Sequence, residues 1–264
     1  MEPIPDWQLP PGVDRGLWDY LHSGDMVAGY DEQMAASPLA QADVAFCKRW
    51  FPTPGKLLDM GCGTGRLCLH FANKGYDCVG VDLSEEMLLR AQAHPWQRVG
   101  LGSCLFLKGN LTELTDLPEA NFDYAACLFS TFGMVRGAEN RAKVIANAFR
   151  LLKPGGRFVL HVHNRYFRGL GWRNWRASDI TMSQAYGGAA LTLHHFSRGE
   201  ALRLLLDAGF KLNDVRAVGI DGKCAGRPTV LRAYGYLIAA YLFSAPGAAW
   251  AVGAAGCPHF AASG

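Results

Sequence analysis

Short apolar runs alternate with amphipathic stretches through the middle of the chain. "KLLDM" (56–60), "CVGVD" (78–82), "CLFLKG" (104–109), "FDYAACLF" (122–129) and "RFVLHVH" (157–163) have strand length and strand composition. Between them, "RLCLHFANKG" (66–75), "SEEMLLRAQA" (84–93) and "AENRAKVIANAFRLL" (138–152) predict helices. In the last, Val144, Ala148 and Leu151, or Ile145, Phe149 and Leu152, recur at helical intervals. Ser84 reads as an N-cap with Glu85 and Glu86 in the first turn, where acids complement the helix dipole. "KPGG" (153–156) predicts a turn. After a long stretch of no clear period, "SRGEALRLLLDAGF" (197–210) predicts a helix, and 211–220 and 230–243 predict two closing strands.

Strands that alternate with helices need crossovers, so the pattern implies an α/β fold with a mainly parallel sheet covered on both faces. Such sheets take ligands beyond the carboxyl ends of their strands. That rule brings Asp59 to Gly65, Asp82, Gly109–Asn110, Leu128–Thr131 and His163–Asn164 to one rim. Five strand ends converging there predict a single site.

Composition alters this little. The chain has 264 residues, half of them apolar, and a formal net charge of +3, which does not suggest a protein that coats nucleic acid. Eight scattered cysteines contain no C-x-x-C pair, which argues for free thiols in a reducing, cytoplasmic setting. The first residues lack the basic start and apolar core of a signal peptide. No charged residue occurs from Ala233 to Gly264, but Ser244, Pro246 and Gly247 break the apolar run. This predicts a buried last strand and then a loose tail, not a membrane span.

The candidate chemistry centres on "LLDMGCGTGR" (57–66). A dinucleotide loop reads G-x-G-x-x-G, whereas here the third glycine comes one residue early, at Gly61, Gly63 and Gly65. Asp59 precedes the loop. An acid there repels a pyrophosphate and suits a ligand with a cationic amine.

The stretch resembles motif I of the class I S-adenosylmethionine-dependent methyltransferases. "VGVDLSEEML", "FDYAACLFSTFGMV", "LLKPGGRFVL" and "HHFSRGEALRLLLDAGF" continue the resemblance, in order, over about residues 50–240. It implies a Rossmann-like, doubly wound, mostly parallel seven-stranded sheet with a final antiparallel strand. It implies that Asp59 faces the methionine ammonium, directly or through water. Gly61, Cys62, Gly63 and Gly65 would line the methionine and ribose, and Asp82 would accept from both ribose hydroxyls. Leu83 and Met87 would pack near the adenine, with Gly109, Asn110 and Leu111 at its edge. Leu128 and Phe129 would lie under the cofactor. Asn110 stands where the family often has Asp.

Methyl transfer needs chiefly alignment, so no conspicuous catalytic group is required. His161 and His163 share a strand face, and His163 is the candidate base or acceptor contact. His194 and His195 precede the late helix. These histidines lack an accompanying acid cluster, so no metal site is expected. The segment 165–176, "RYFRGLGWRNWR", interleaves arginines with aromatics, as in a lid over a planar or anionic acceptor. Asn164, Tyr166 and Trp172 are candidate substrate contacts there. Tyr20 and Tyr30 are candidates from the aromatic, acidic segment 17–34, which in related enzymes closes over the cofactor.

The expected organisation is a cap segment (1–40), a methyltransferase domain (41–243) with a substrate-covering insertion (165–196), and a tail (244–264). The expected activity is methyl transfer to a small molecule. "LFST" after the fourth strand lacks the "N-P-P-[YF]" pattern that related enzymes acting on base or amide nitrogens often carry. The alternatives are an RNA or protein methyltransferase and a non-catalytic S-adenosylmethionine-binding protein, with a dehydrogenase more distant. The oligomeric state is left open.

Overall fold

A computed structural model describes residues 4–94, 102–170, 177–185, 189–225 and 231–243. Three helices come first: α1 (Arg15–Leu21), α2 (Gly24–Ala36) and α3 (Pro38–Trp50). The alternating region follows as β1 (Lys56–Met60), α4 (Arg66–Ala72), β2 (Asp77–Asp82), α5 (Glu85–Ala93), β3 (Ser103–Lys108) and β4 (Phe122–Cys127). Next come α6 (Thr131–Met134), α7 (Ala138–Leu151), β5 (Leu152–His163), β6 (Asp179–Ala185) and β7 (Ala189–His194). The chain closes with α8 (Arg198–Asp207), β8 (Lys211–Val218), β9 (Cys224–Ala225) and β10 (Gly235–Tyr241).

The main sheet has the order β3-β2-β1-β4-β5-β10-β8-β9. The pairs from β3 to β5 are parallel, and β10 runs antiparallel to both of its neighbours. This is the expected α/β arrangement of seven strands with one reversed, plus the two-residue edge β9. Alternation along β1 explains the two cores. Leu58 and Met60 face the α7 and α8 side, while Leu57 faces the α3 and α4 side. Asp59 therefore points to the α3 and α4 side at the carboxyl end of a central strand.

Two local expectations change. The "KPGG" turn is absorbed into β5 as a bulge: Leu152 pairs with Phe122 but Arg157 already pairs with Tyr124. Gly155 takes a positive φ of 80° there, so the residues bend as a turn would without ending the strand. The stretch with no clear period contains an antiparallel hairpin, β6 and β7, separate from the main sheet. Leu191 and Leu193 of β7 pack with Leu17 and Tyr20 of α1 and with Met87 of α5. The tail 244–264 lies outside the described residues.

Candidate active site

The turn from β1 into α4 is set by backbone hydrogen bonds. The N–H groups of Gly61 and Cys62 both donate to Val81 O, at 2.8 and 3.1 Å, which draws the loop over the end of β2. Gly61 has φ +83°, and a Cβ on it would fall 2.2 Å from the Thr131 methyl group. Only glycine fits there. Gly63, at φ +54°, donates its N–H to Asp82 Oδ2 at 2.8 Å. Gly65 starts α4 from the left-handed region.

Asp82 ends β2. Its other oxygen, Oδ1, accepts from Ser84 N at 2.9 Å. These backbone bonds fix the carboxylate in orientation and leave it further acceptor capacity. Burial raises its carboxyl above the ordinary value, and the backbone donors of Ser84, Gly63 and Leu83 offset part of that. Asp59 is more deeply buried. Burial pushes its carboxyl up to about 7, against the lowering field of Arg66 and with a further rise from Asp82. Among the described residues no Lys or Arg forms a salt bridge with it; Cys68 Sγ lies 3.7 Å from its Oδ2. Arg66 instead donates to Ala40 O at 2.7 Å and lies 3.7 Å from Asp43.

Asp82 lines one and Asp59 the other of two adjoining lobes of a cleft. One lobe encloses about 550 Å³, partly open to solvent, and includes Gly61, Asp82, Leu83, Gly109, Asn110 and Leu111. The other includes Tyr30, Asp59, Gly61, Cys62, Leu128 and Phe129. Gly61 and Thr131 belong to both. Gly63 and Gly65 shape the loop from behind, and Met87 packs in the α1–β7 cluster behind the first lobe. Phe129 is held at φ +57°, a left-handed conformation that turns its ring out of β4 toward the second lobe.

Sequence reasoning missed several walls. Pro11, Gly12, Val13, Leu17 and Leu21 cover the first lobe, with Met134, Val135 and the rim residue Thr131, which the strand-end rule already placed there. Arg66 and Leu67 line the second. Leu17 and Leu21 stand four apart, and Arg66 directly follows the glycines, so those three carried a readable signal. Pro11 and Gly12 carried none, because long-range bonds place them. Asn110 Nδ2 donates to Pro11 O at 2.8 Å, and Arg136 N donates to Gly12 O at 2.8 Å. Asn110 Oδ1 also accepts from Thr112 N at 3.1 Å, which leaves one N–H and one acceptor position on its amide.

The other candidates fall in distinct places. The Tyr30 hydroxyl would lie 3.2 Å from a Cβ on Gly63, so it sits over the glycine loop. Burial raises its pKa, so it stays a neutral hydroxyl. Tyr20 is buried between α1 and the hairpin. His163 is buried at the end of β5, and its Nε2 has no hydrogen-bond partner among the described residues. Burial, followed by the fields of His161 and His195, pushes its pKa well below the ordinary value. Its ring meets Phe129 edge-on at 6.3 Å and Tyr234 at 4.7 Å. Asn164 is fully buried: Nδ2 donates to Ala233 O at 2.8 Å, and Oδ1 accepts from Tyr166 N at 3.1 Å. Tyr166 lies under the Arg165 guanidinium, 5.3 Å from its ring centre. Trp172 lies outside the described residues, as do Arg173, Trp175 and Arg176. Among the described residues no cluster of three or more His, Cys, Asp or Glu side chains is arranged to hold a metal ion.

Residues 58–160 match a family model described as a methyltransferase domain. YqeM of Bacillus subtilis (strain 168) is 32% identical over 138 residues, 52% of this chain and 53% of that protein. The ubiquinone biosynthesis O-methyltransferase of Methylococcus capsulatus is 34% identical over 110 residues, 42% of this chain and 44% of that protein. The matches thus span about half the length of these curated relatives. The crystal structure of Burkholderia thailandensis 1,6-didemethyltoxoflavin-N1-methyltransferase, with its substrate and S-adenosylhomocysteine bound, superposes with a TM-score of 0.59. It is 19% identical and covers 89% of this chain and 93% of that one, a likeness of fold. Residues 58–160 are thus similar to a methyltransferase domain, and the fold is that of S-adenosylmethionine-dependent methyltransferases. Among the described residues no helix is long and apolar enough to cross a membrane.

Proposed function

We propose that the chain transfers a methyl group from S-adenosylmethionine to a small acceptor carrying an acidic hydroxyl, such as a phenol or enol. The observation that carries this reading is the pair of oriented acids in the two adjoining lobes of one cleft. The residues fit the cofactor. Asp82 is a carboxylate fixed in orientation at the cleft, with acceptor capacity left for ribose hydroxyls. Asp59 is a buried carboxylate with no ion-pair partner among the described residues, as a bound ammonium requires. Gly61 leaves the cleft floor free of a side chain where the two lobes join.

When bound, S-adenosylmethionine supplies a methyl group already activated on a sulfonium. The chain's own task is to hold the acceptor in line and to keep water away. Leu128, Phe129 and Tyr30 wall the lobe where the acceptor would approach. His163 Nε2 is buried beside Phe129 with no partner among the described residues, and in the tautomer protonated on Nδ1 it would receive a hydrogen bond from an acceptor hydroxyl. Its depressed pKa makes it a weak base, so it matches an acceptor whose own proton is acidic. The relatives named for ubiquinone biosynthesis and didemethyltoxoflavin methylation support a small-molecule acceptor. The free thiols of the described cysteines suit the cytoplasm.

The test is transfer of labelled methyl groups to a panel of phenols, enols and amines, with His163→Gln alongside. Turnover should appear with acidic hydroxyl acceptors and fall at least about a hundredfold in the variant, with cofactor affinity unchanged. Wild-type kcat should stay level as pH falls through 6.5, since His163 protonates only in more acidic solution. Turnover confined to amines, or untouched by the variant, would contradict this reading.

A further inference from the structure

Three thiols gather on one face of the sheet, outside the cleft. Cys78 of β2 pairs in register with Cys104 of β3, so both side chains point to the same side. Cys68 of α4 packs against that face, in the same apolar cluster. Cys68 and Cys78 are buried, whereas Cys104 sits half-buried on the edge strand. All three are free thiols. The cluster touches the cofactor cleft at one point, where Cys68 Sγ approaches Asp59.

The three thiols are not equivalent. The Cys68 and Cys78 thiols beside it pull the Cys104 thiol down to about 5. The same coupling, with burial added, makes Cys68 and Cys78 hold their protons. A thiolate on an accessible edge strand, with a protonated thiol directly across the ladder, is the arrangement of a reactive cysteine and its resolving partner.

We propose that Cys104 and Cys78 form a reversible redox-modification site, oxidised by peroxides to a disulfide that joins β3 to β2. The Cys104 sulfur attacks one peroxide oxygen. An S–O bond forms and the O–O bond breaks, giving the sulfenic acid while the second oxygen leaves as hydroxide and becomes water. The Cys78 sulfur then attacks the sulfenic sulfur. An S–S bond forms, the S–O bond breaks, and the hydroxyl leaves with the Cys78 proton as a second water. The two thiols lose two electrons and the peroxide gains them.

The bond bears on the cofactor site. Neighbouring strands lie about 4.8 Å apart, within the roughly 4.4–6.8 Å that separates the Cα atoms of a disulfide. Closure turns the two sulfurs toward each other and out of their packing with Cys68, which touches Asp59. Four residues further on the same strands end at the register pair Asp82 and Lys108, followed by the Gly109–Leu111 wall. Oxidation therefore alters the packing beside the cofactor cleft, and a reductant restores it.

The test is peroxide treatment of the full chain, alkylation of remaining thiols and mass mapping without reductant. The expected product links the Cys78 and Cys104 peptides. Cys104→Ser should abolish the link and leave Cys78 open to alkylation. Cys78→Ala should let Cys104 proceed to the sulfinic acid. A Cys104 still alkylated after exposed Cys224 has been oxidised would overturn the site. S-adenosylhomocysteine should bind the cross-linked protein roughly tenfold more weakly and regain its affinity with dithiothreitol; an unchanged affinity would overturn the coupling. That second arm rests on the cofactor reading, so the reduced protein is titrated first. Failure of the reduced protein to bind would count against that reading, while the mass mapping still decides the thiol pair.

Discussion

Asp59 concentrates the electrostatic cost of the site in one side chain. Its carboxyl rises from an ordinary 3.8 to about 7 because burial disfavours the charge. A folded pKa above the unfolded one stabilises the fold at low pH, and that contribution is lost as pH rises through about 7. Asp59→Asn should therefore raise the melting temperature of the ligand-free protein at pH 8 and do so much less at pH 5. A bound ammonium reverses the preference, since it pairs only with the ionised acid. Cofactor affinity measured by calorimetry should accordingly rise about tenfold from pH 6 to pH 8, with proton release on binding near neutrality. An affinity flat across that range would remove Asp59 from the ammonium site.

Elements carried their own signals unevenly into the sequence. The strands and helices around the glycine loop were readable because each has a strong period and a cap, as with Ser84, which accepts from Met87 N. So were Asp59, Asp82 and Leu128, since position at a strand's carboxyl end follows from topology alone. What was not readable depends on distant partners. The cover of the first lobe is a strap, Pro11 to Leu21, that has no periodicity before α1. Asn110 and Arg136 hold its start, and Ser84 Oγ donates to Leu21 O at 3.0 Å at its end. Arg136 also pairs with Asp14 and with Asp179 of the hairpin, both at 3.2 Å. It joins strap and hairpin across the lobe. Arg136→Ala should weaken cofactor binding about fivefold, the scale of a partly exposed ion-pair network, and high salt should reproduce part of the loss in wild type. Equal affinities for variant and wild type would show that the strap closes without Arg136.

The whole molecule places one cleft at the rim of a sheet whose two faces are packed by separate apolar clusters, with a third cluster beneath the hairpin. Binding at the rim engages β1, β2, the β3 loop and the strap together, so ligand should stabilise the fold as a unit. S-adenosylhomocysteine at a hundred times its dissociation constant adds about 2.7 kcal/mol, and the melting temperature should rise by about 5–10 °C, whereas NAD should leave it unchanged. The most direct measurement is calorimetric titration of S-adenosylmethionine and S-adenosylhomocysteine into wild-type protein and Asp82→Ala. Loss of two charge-assisted hydrogen bonds predicts at least a roughly hundredfold weaker binding of both in the variant. Tight binding of NAD in place of either ligand, or full affinity in Asp82→Ala, would contradict the assignment of this cleft.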